Sequence, residues 1–591
     1  MELFRKYTQE ALSHAKATAK LSGELLRKGM SFDTLTDKDN FFLADVSTAL
    51  GSAAKEAAVN PGKVFEDNAQ LLSQYWALSR ELTQTALGRQ PDPVIAPEAS
   101  DHRFDDEAWN RNPFYYAIGQ LYLIHSEYLN KFTSDLEGLS DANRRQLDFL
   151  TRQLINALAP TNFFLTNPEA VRKCRETKGM SIVRGLENFY RDIARSRKLL
   201  NVSMTDEKSF GVGENIATTP GKVVFQNSMM QLIQYQPTTE KVHRTPLLIV
   251  PPFINKYYIL DLTQKKSLVR WLVDQGHTVF MISWVNPDKS YAETTFDDYV
   301  TDGVIAAMDA VERATGEHEV NTIGYCVGGT LLATALAHLK KAGDERARSA
   351  TFFTTLLDFE DPGEIGVYLN DRIVQALESY VNKVGYYDGR FIALSFSSLR
   401  ENNLIWSYFV NNYLKGEHPV PFDLLYWNSD STNLPAAMYT FYIREMYMKN
   451  LLREPNALTI AGTPIDLTSL DTPAMFVSGQ QDHIAPWKST YAGYRLFSGE
   501  KHFVLSQSGH IAGIINPPEP EKYGYYVNPG EVADPEEWFE KASHQRGSWW
   551  PHWQHWVSRF QGEEVPARVP GDAELEIIED APGSYVQKHL Y

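Results

Sequence analysis

The stretch that most constrains this chain is Asn321-Thr322-Ile323-Gly324-Tyr325-Cys326-Val327-Gly328-Gly329-Thr330. Val320 to Ile323 read as the end of a buried strand, and Leu331, Leu332, Ala333, Ala335 and Leu336 as the apolar face of a helix. Cys326 falls at the turn between them, in the frame G-x-C-x-G-G. A nucleophile held in a sharp strand-to-helix turn needs small residues on both sides, because neighbouring backbones approach closely there. The start of the helix aims N–H groups and a partial positive charge at the sulfur. The competing reading is a buried structural cysteine at an ordinary strand–helix junction. The glycine frame favours the nucleophile.

A chain of 591 residues is too long for one ordinary core, so two domains are expected. Apolar and charged contents of 43% and 22% are those of a soluble globular protein. The net charge of −17 argues against nucleic acid as a partner. The 2 cysteines, Cys174 and Cys326, form no disulfide framework and no thiolate metal site, and no metal or cofactor is expected. Cys174 lies in the polar run Arg172-Lys173-Cys174-Arg175-Glu176 and reads as incidental. No stretch has the length of a transmembrane helix, and no apolar signal core opens the sequence, so a cytoplasmic location is expected.

Residues 1–210 read as a mainly helical domain. Phe4, Tyr7, Ala11, Ala15, Leu21 and Leu25 repeat at helical spacing, with Thr18 the polar member of that face and basic residues between. This face suits an apolar surface, a partner helix or the chain's own domain. A second helical pattern covers Leu71 to Leu87, and the proline-bearing stretch 88–100 reads as a linker. From residue 211 the pattern changes. Val223-Val224-Phe225 and Leu232-Ile233-Gln234-Tyr235 look like a hairpin; Leu247 to Val250 and Thr278 to Ser283 look like buried strands. A helix over Tyr299 to Ala314 precedes the Cys326 turn. Strands follow at Ala350 to Leu357, Ala474 to Ser478 and His502 to Leu505. Strand–helix alternation at this spacing predicts a mostly parallel sheet covered by helices, over 211–591. An aromatic insertion near 360–450 reads as a lid or cap, and the segment from Gln561 as an extended tail.

A cysteine nucleophile needs a base, and the base needs an orienting group. In the α/β-hydrolase fold these follow in the order nucleophile, acid, histidine, each just past a strand. Asp482 follows the strand ending at Ser478, and His510 follows the strand ending at Leu505. Asp358, in Leu356-Leu357-Asp358-Phe359, competes for the acid position, and Asp482 is favoured because its loop pairs naturally with that of His510. His483 reads as a structural neighbour. One oxyanion donor is expected to be the N–H of Val327. The second should come from Pro251-Pro252-Phe253-Ile254-Asn255. Prolines have no N–H, so Phe253 or Ile254 is the candidate.

Several motifs jointly resemble the polyhydroxyalkanoate synthase family. They are Gly324-Tyr325-Cys326-Val327-Gly328-Gly329, Pro251 to Tyr258, Asp482-His483-Ile484-Ala485-Pro486-Trp487 and Ser508-Gly509-His510-Ile511-Ala512-Gly513. Tyr426 to Asn433, Gly547-Ser548-Trp549-Trp550-Pro551, Arg103-Phe104 and Ala108-Trp109 extend the match over nearly the whole chain. The length resembles the single-subunit class I enzymes. The resemblance implies polymerisation of (R)-3-hydroxyacyl-CoA into polyester with release of CoA, through Cys326, Asp482 and His510. It also implies a helical N-terminal domain that helps association with polyester granules, a homodimer formed through the lid side, and Arg400 as a contact for CoA.

Two other readings use the same residues. A cysteine thioesterase or hydrolase would need only the turn and the triad. An inactive scaffold coating granules would need neither, and the complete triad argues against it.

Overall fold

The computed structural model describes residues 61–136, 139–195, 201–519, 521–571 and 573–590. The amphipathic face from Phe4 to Leu25 lies outside the described residues. The chain divides into two compact units. One takes the described residues up to Asp206 together with Leu394–Val420; the other takes Glu207–Ala393 and Pro421–Leu590.

The first unit is helical, with long helices Pro61–Ala86, Pro113–Ser134, Asp141–Ala157 and Met180–Arg195. Their starts are encoded locally. The Asn112 side chain accepts from the N–H groups of Phe114 and Tyr115, ahead of Pro113, and Ser140 accepts from Asn143. Leu78, Tyr116 and Ile124 form a small core. The stretch 88–100, expected as a linker, is a packed strap. Tyr116 donates to the Asp92 carbonyl at 2.6 Å, and the Gln120 amide brackets Ile95, accepting from its N–H at 2.9 Å and donating to its carbonyl at 3.0 Å. These side chains satisfy backbone groups that a free linker would leave to water.

The expected insertion near 360–450 is split between the units, because Leu394–Val420 joins the helical one. Asn156 donates to Glu401 at 2.6 Å, Tyr413 donates to Asp192 at 2.6 Å, and Asn188 donates to the carbonyls of Asn412 and Glu417. Polar partners far apart in sequence thus fix this segment, which no local periodicity announces.

The second unit is built on one sheet. Its strands among the described residues are β1 (Gly221–Gln226), β2 (Met230–Tyr235), β3 (Leu247–Val250), β4 (Val279–Trp284), β5 (Val320–Tyr325), β6 (Ala347–Phe353), β7 (Ala474–Gly479), β8 (Lys501–Ser506), β9 (Tyr525–Val527), β10 (Ser543–Gln545) and β11 (Glu579–Asp580). Their spatial order is β10-β9-β8-β7-β6-β5-β3-β4-β2-β1-β11. The central strands β8, β7, β6, β5, β3 and β4 are parallel, and both flanks are antiparallel. Every residue of β3, β4, β5 and β7 is buried, as expected of strands covered on both faces. The helix Val327–Ala342 after β5 is apolar on nearly every side and correspondingly buried.

The hairpin expected at 223–235 is β1–β2. The strand expected from Ala350 to Leu357 ends earlier, at Phe353, because Thr354 turns with φ 42°. The helix expected over Tyr299 to Ala314 opens with a wide π turn, Tyr299–Ile305, where a Cβ on Gly303 would lie 2.7 Å from the Trp284 ring. The segment after Gln561 is extended but held. Glu564–Pro566 pairs with Lys241–His243, β11 pairs with β1, and Leu575 and Val586 are buried. Among the described residues no helix is long and apolar enough to cross a membrane.

Candidate active site

Cys326 sits between the end of β5 and the helix Val327–Ala342, with φ 52° and ψ −125°. Such backbone is costly for a residue with a Cβ and persists only where its surroundings over-determine it. Those surroundings are visible. The Cys326 N–H donates to the Phe353 carbonyl on β6 at 2.8 Å, and its carbonyl accepts from Gly329 and Thr330. A Cβ on Gly324 would lie 2.5 Å from the Gly329 Cα, and one on Gly329 only 2.0 Å from Thr355 Oγ1. A Cβ on Gly328 would lie 2.4 Å from the carbonyl oxygens of Val250 and Pro251. The glycines of the frame are therefore a packing requirement, with β5, its helix and the loop after β3 in direct backbone contact.

Asp482 and His510 lie on the loops that follow β7 and β8. His510 Nδ1 and Asp482 Oδ2 are 2.7 Å apart. The other carboxylate oxygen, Oδ1, accepts from the N–H groups of Ile484 and Ala485, both at 2.9 Å. The Asp482 side chain is fully buried. The close approach of the two loops depends on Gly479, where a Cβ would meet the carbonyls of Ser508 and Gly509 at about 3 Å. Burial works against charge on His510, but the Asp482 carboxylate and then the Cys326 sulfur outweigh it and hold the imidazole well above its ordinary value. Cys326 acts on this ring both as a charge and as a hydrogen-bond partner. Tyr325, next to the cysteine, donates to the His510 carbonyl at 3.2 Å and lies against its ring.

Asp358 is engaged elsewhere. Its carboxylate accepts from the Glu360 N–H and from Asn450, and pairs with Arg453. The structure thus brings Cys326, Asp482 and His510 together and gives Asp358 other partners. The neighbouring His483 contributes its carbonyl to Glu364.

The N–H groups of Val327, Phe253 and Ile254 have no acceptor among the described residues. Val327 is the first residue of its helix, where no intrahelical acceptor exists. The carbonyls of Phe253 and Ile254, by contrast, are both taken by Thr432. Arg400 falls in the helical unit, just past the helix Gly389–Leu399, and its carbonyl accepts from Asn403 and Leu404. Cys174 is also in that unit, in the helix Pro168–Glu176. Among the described residues no group of acidic, histidine or cysteine side chains is arranged to hold a metal ion.

Sequence reasoning missed Tyr442 and Tyr447. Both hydroxyls are held well above the ordinary tyrosine range, first by burial, with the Cys326 sulfur contributing. Their rings are 5.2 Å apart in a π turn, Tyr442–Met448. Residues five apart share a face there, whereas α-helical periodicity splays them. It also gave no role to Gly547 to Pro551. Trp549 and Trp550 are buried and donate to the carbonyls of Gly513 and Ile514, so they brace the His510 loop from below.

Comparison with known proteins follows the same outline. Residues 100–272 match the family described as poly-beta-hydroxybutyrate polymerase (PhaC) N-terminus, and residues 245–517 match the alpha/beta hydrolase fold. The chain is 45% identical to the poly(3-hydroxyalkanoate) polymerase subunit PhaC of Rhizobium meliloti, over 92% of this chain and 89% of that one. It is 44% identical to the PhaC subunit of Cupriavidus necator, over 82% and 83%. It is 40% identical to the poly(3-hydroxyalkanoate) polymerase of Methylorubrum extorquens, over 92% and 90%. With such identity across most of both chains, and with an alpha/beta hydrolase sheet carrying the cysteine turn, this protein belongs to the poly(3-hydroxyalkanoate) polymerase PhaC family.

Proposed function

We propose that this chain is a polyester synthase that polymerises (R)-3-hydroxyacyl-CoA and releases CoA through an acyl-Cys326 intermediate. The observation that carries the reading is the buried Asp482–His510 pair, 2.7 Å apart, whose imidazole answers to the sulfur of Cys326. The names of the relatives supply the product class.

In this reading the Cys326 thiolate attacks the thioester carbonyl. The bond from that carbon to the CoA sulfur breaks, and His510 gives its proton to the departing thiolate. His510 is then neutral and serves as base for a 3-hydroxyl, which attacks the acyl-Cys326 carbonyl. The new ester forms, the cysteine sulfur leaves as thiolate, and the imidazolium–thiolate pair is restored. Asp482 orients the ring and stabilises its charge. The N–H groups of Val327 and Ile254 serve as the oxyanion donors. A cysteine suits the task because thioester-to-thioester exchange keeps the acyl group activated for ester formation. The reaction as written draws on no cofactor beyond its CoA substrate. From the family resemblance we extend the reading to Arg400 as a CoA contact, to a homodimer and to a cytoplasmic enzyme associated with polyester granules.

Incubation of the purified protein with (R)-3-hydroxybutyryl-CoA tests the reading. Polymer with free CoA is expected. Free hydroxy acid with CoA would make the protein a thioesterase of the same fold, and no turnover would overturn both.

A further inference from the structure

The loop after β3 has to present an N–H to the developing oxyanion, and something has to hold its peptide planes. The structure shows what does. Thr432, buried, donates its N–H to the Ile254 carbonyl at 3.0 Å. Its hydroxyl lies 2.5 Å from the Phe253 carbonyl oxygen and 2.9 Å from that of Ile254, and donates between them. The peptide from Phe253 to Ile254 is trans, so its C=O and N–H point in opposite directions. A hydroxyl that fixes the Phe253 carbonyl therefore fixes the direction of the Ile254 N–H on the other side.

We propose that Thr432 is a positioning residue that aims the Ile254 N–H at the reacting carbonyl oxygen. This rests on the synthase reading, in which Ile254 is an oxyanion donor. Thr432 is itself held firmly enough to act as the fixed partner. Asn433 accepts from the Gly389 N–H, donates to the Pro287 carbonyl, and receives its own N–H acceptor from Asn286. Gly389 has no Cβ where one would lie 2.5 Å from the Thr432 carbonyl oxygen. The loop is also pinned by its carbonyls on either side, from Trp284 to Pro251 at 3.0 Å and from Trp427 to Lys256 at 2.7 Å. At Phe253 the Thr432 hydroxyl is the hydrogen-bond donor that sets the plane.

The test compares Thr432→Val and Thr432→Ser in the full chain by two single-turnover rates. One is acylation of Cys326 by (R)-3-hydroxybutyryl-CoA, read by mass spectrometry of quenched enzyme. The other is alkylation of Cys326 by iodoacetamide, a reaction that builds no oxyanion. Loss of a whole oxyanion donor costs about 10²–10³ in rate. A misaimed donor retains part of that, so Thr432→Val should acylate about tenfold to a hundredfold more slowly. Alkylation should stay within about twofold, and Thr432→Ser should restore acylation because it keeps the hydroxyl. The proposal is overturned if Thr432→Val acylates at the parent rate, if both reactions fall together, or if the serine variant falls as far as valine. A parent enzyme that alkylates but never acylates would instead sink the synthase reading itself.

Discussion

Replacing Asp482 by Asn should separate acylation from elongation, and the geometry says why. Oδ1 of Asp482 accepts from two backbone N–H groups at 2.9 Å, while Oδ2 faces His510 Nδ1 at 2.7 Å. An amide in this place keeps its oxygen toward the two N–H donors. The reverse orientation would bury an NH₂ against both of them, at about 1–3 kcal/mol for each donor left unpaired. The amide NH₂ then faces Nδ1, which must accept, so the ring proton moves to Nε2 on the side of the sulfur. The charge-assisted bond to the carboxylate is lost as well. Hydrogen bonds to charged groups contribute about 1.5–3 kcal/mol, and Asp482 is fully buried, so acylation should slow by about 10–100-fold. Elongation suffers more: a ring with its proton on Nε2 can take one from neither group, but a thiol with a pKa of about 8.5 ionises in part unaided, whereas a 3-hydroxyl does not. Wrong-tautomer defects of this kind reach about 10⁴-fold in serine triads. The variant should therefore accumulate acyl-Cys326 while steady-state CoA release nearly stops. Mass spectrometry of quenched enzyme beside CoA release reads both steps. If adduct formation and turnover fall by the same factor, Asp482 serves both steps alike and the predicted separation is refuted. Asp358→Asn should show no such split, since Asp358 is engaged with Asn450 and Arg453.

Other expectations follow from single residues. Cys326→Ala should abolish CoA release while Cys174→Ala leaves it nearly intact; equal loss in both would dismiss the nucleophile assignment. Gly329→Ala places a Cβ 2.0 Å from Thr355 Oγ1, so it should destabilise the second unit by about 1–3 kcal/mol, and Thr355→Ala should recover part of that in a denaturation midpoint. Burial lowers His277 to about 4, so the unfolded chain binds this proton at higher pH than the folded one, and stability is lost as pH falls from about 6.5 toward 4. That loss is about 2 kcal/mol at pH 5. Asp261, pushed up to about 6 by burial, acts in the opposite sense across much of the same window. The readout is thus the difference between His277→Gln and its parent at pH 5 and pH 7.5, which should shrink the acid loss; an unchanged slope would refute the assignment to His277.

The cysteine turn, the parallel sheet and the placing of Cys326, Asp482 and His510 just past strands were legible in the sequence because each has a local signature. Glycines mark the turn at 324–329, unbroken apolar runs mark β3, β4 and β7, and Asp482 and His510 each follow a strand at once. Strand register and sheet topology then carry those loops to one edge with little freedom. The boundaries of Ala347–Phe353 and the π turn at Tyr299–Ile305 were less legible, since they depend on Thr354 and on room for Trp284.

What the tertiary structure alone decided lies where partners come from distant parts of the chain. Asp358 and Asp482 look alike in sequence, each an acid after a strand. They are told apart by Asn450 and Arg453 on one side and His510 on the other. The strap at 88–100 looks like a linker until Tyr116 and Gln120 close on it. Leu394–Val420 reads as part of a lid until Asn156, Asn188 and Asp192 bind it into the helical unit. Tyr442 and Tyr447 share a face only in a π turn, and Thr432 has no local mark of its hold on Phe253 and Ile254. Periodicity and turn chemistry are properties of a few consecutive residues, so a sequence displays them. Hydrogen bonds between residues from 24 to 245 positions apart exist only after the chain has folded, and they complete the site.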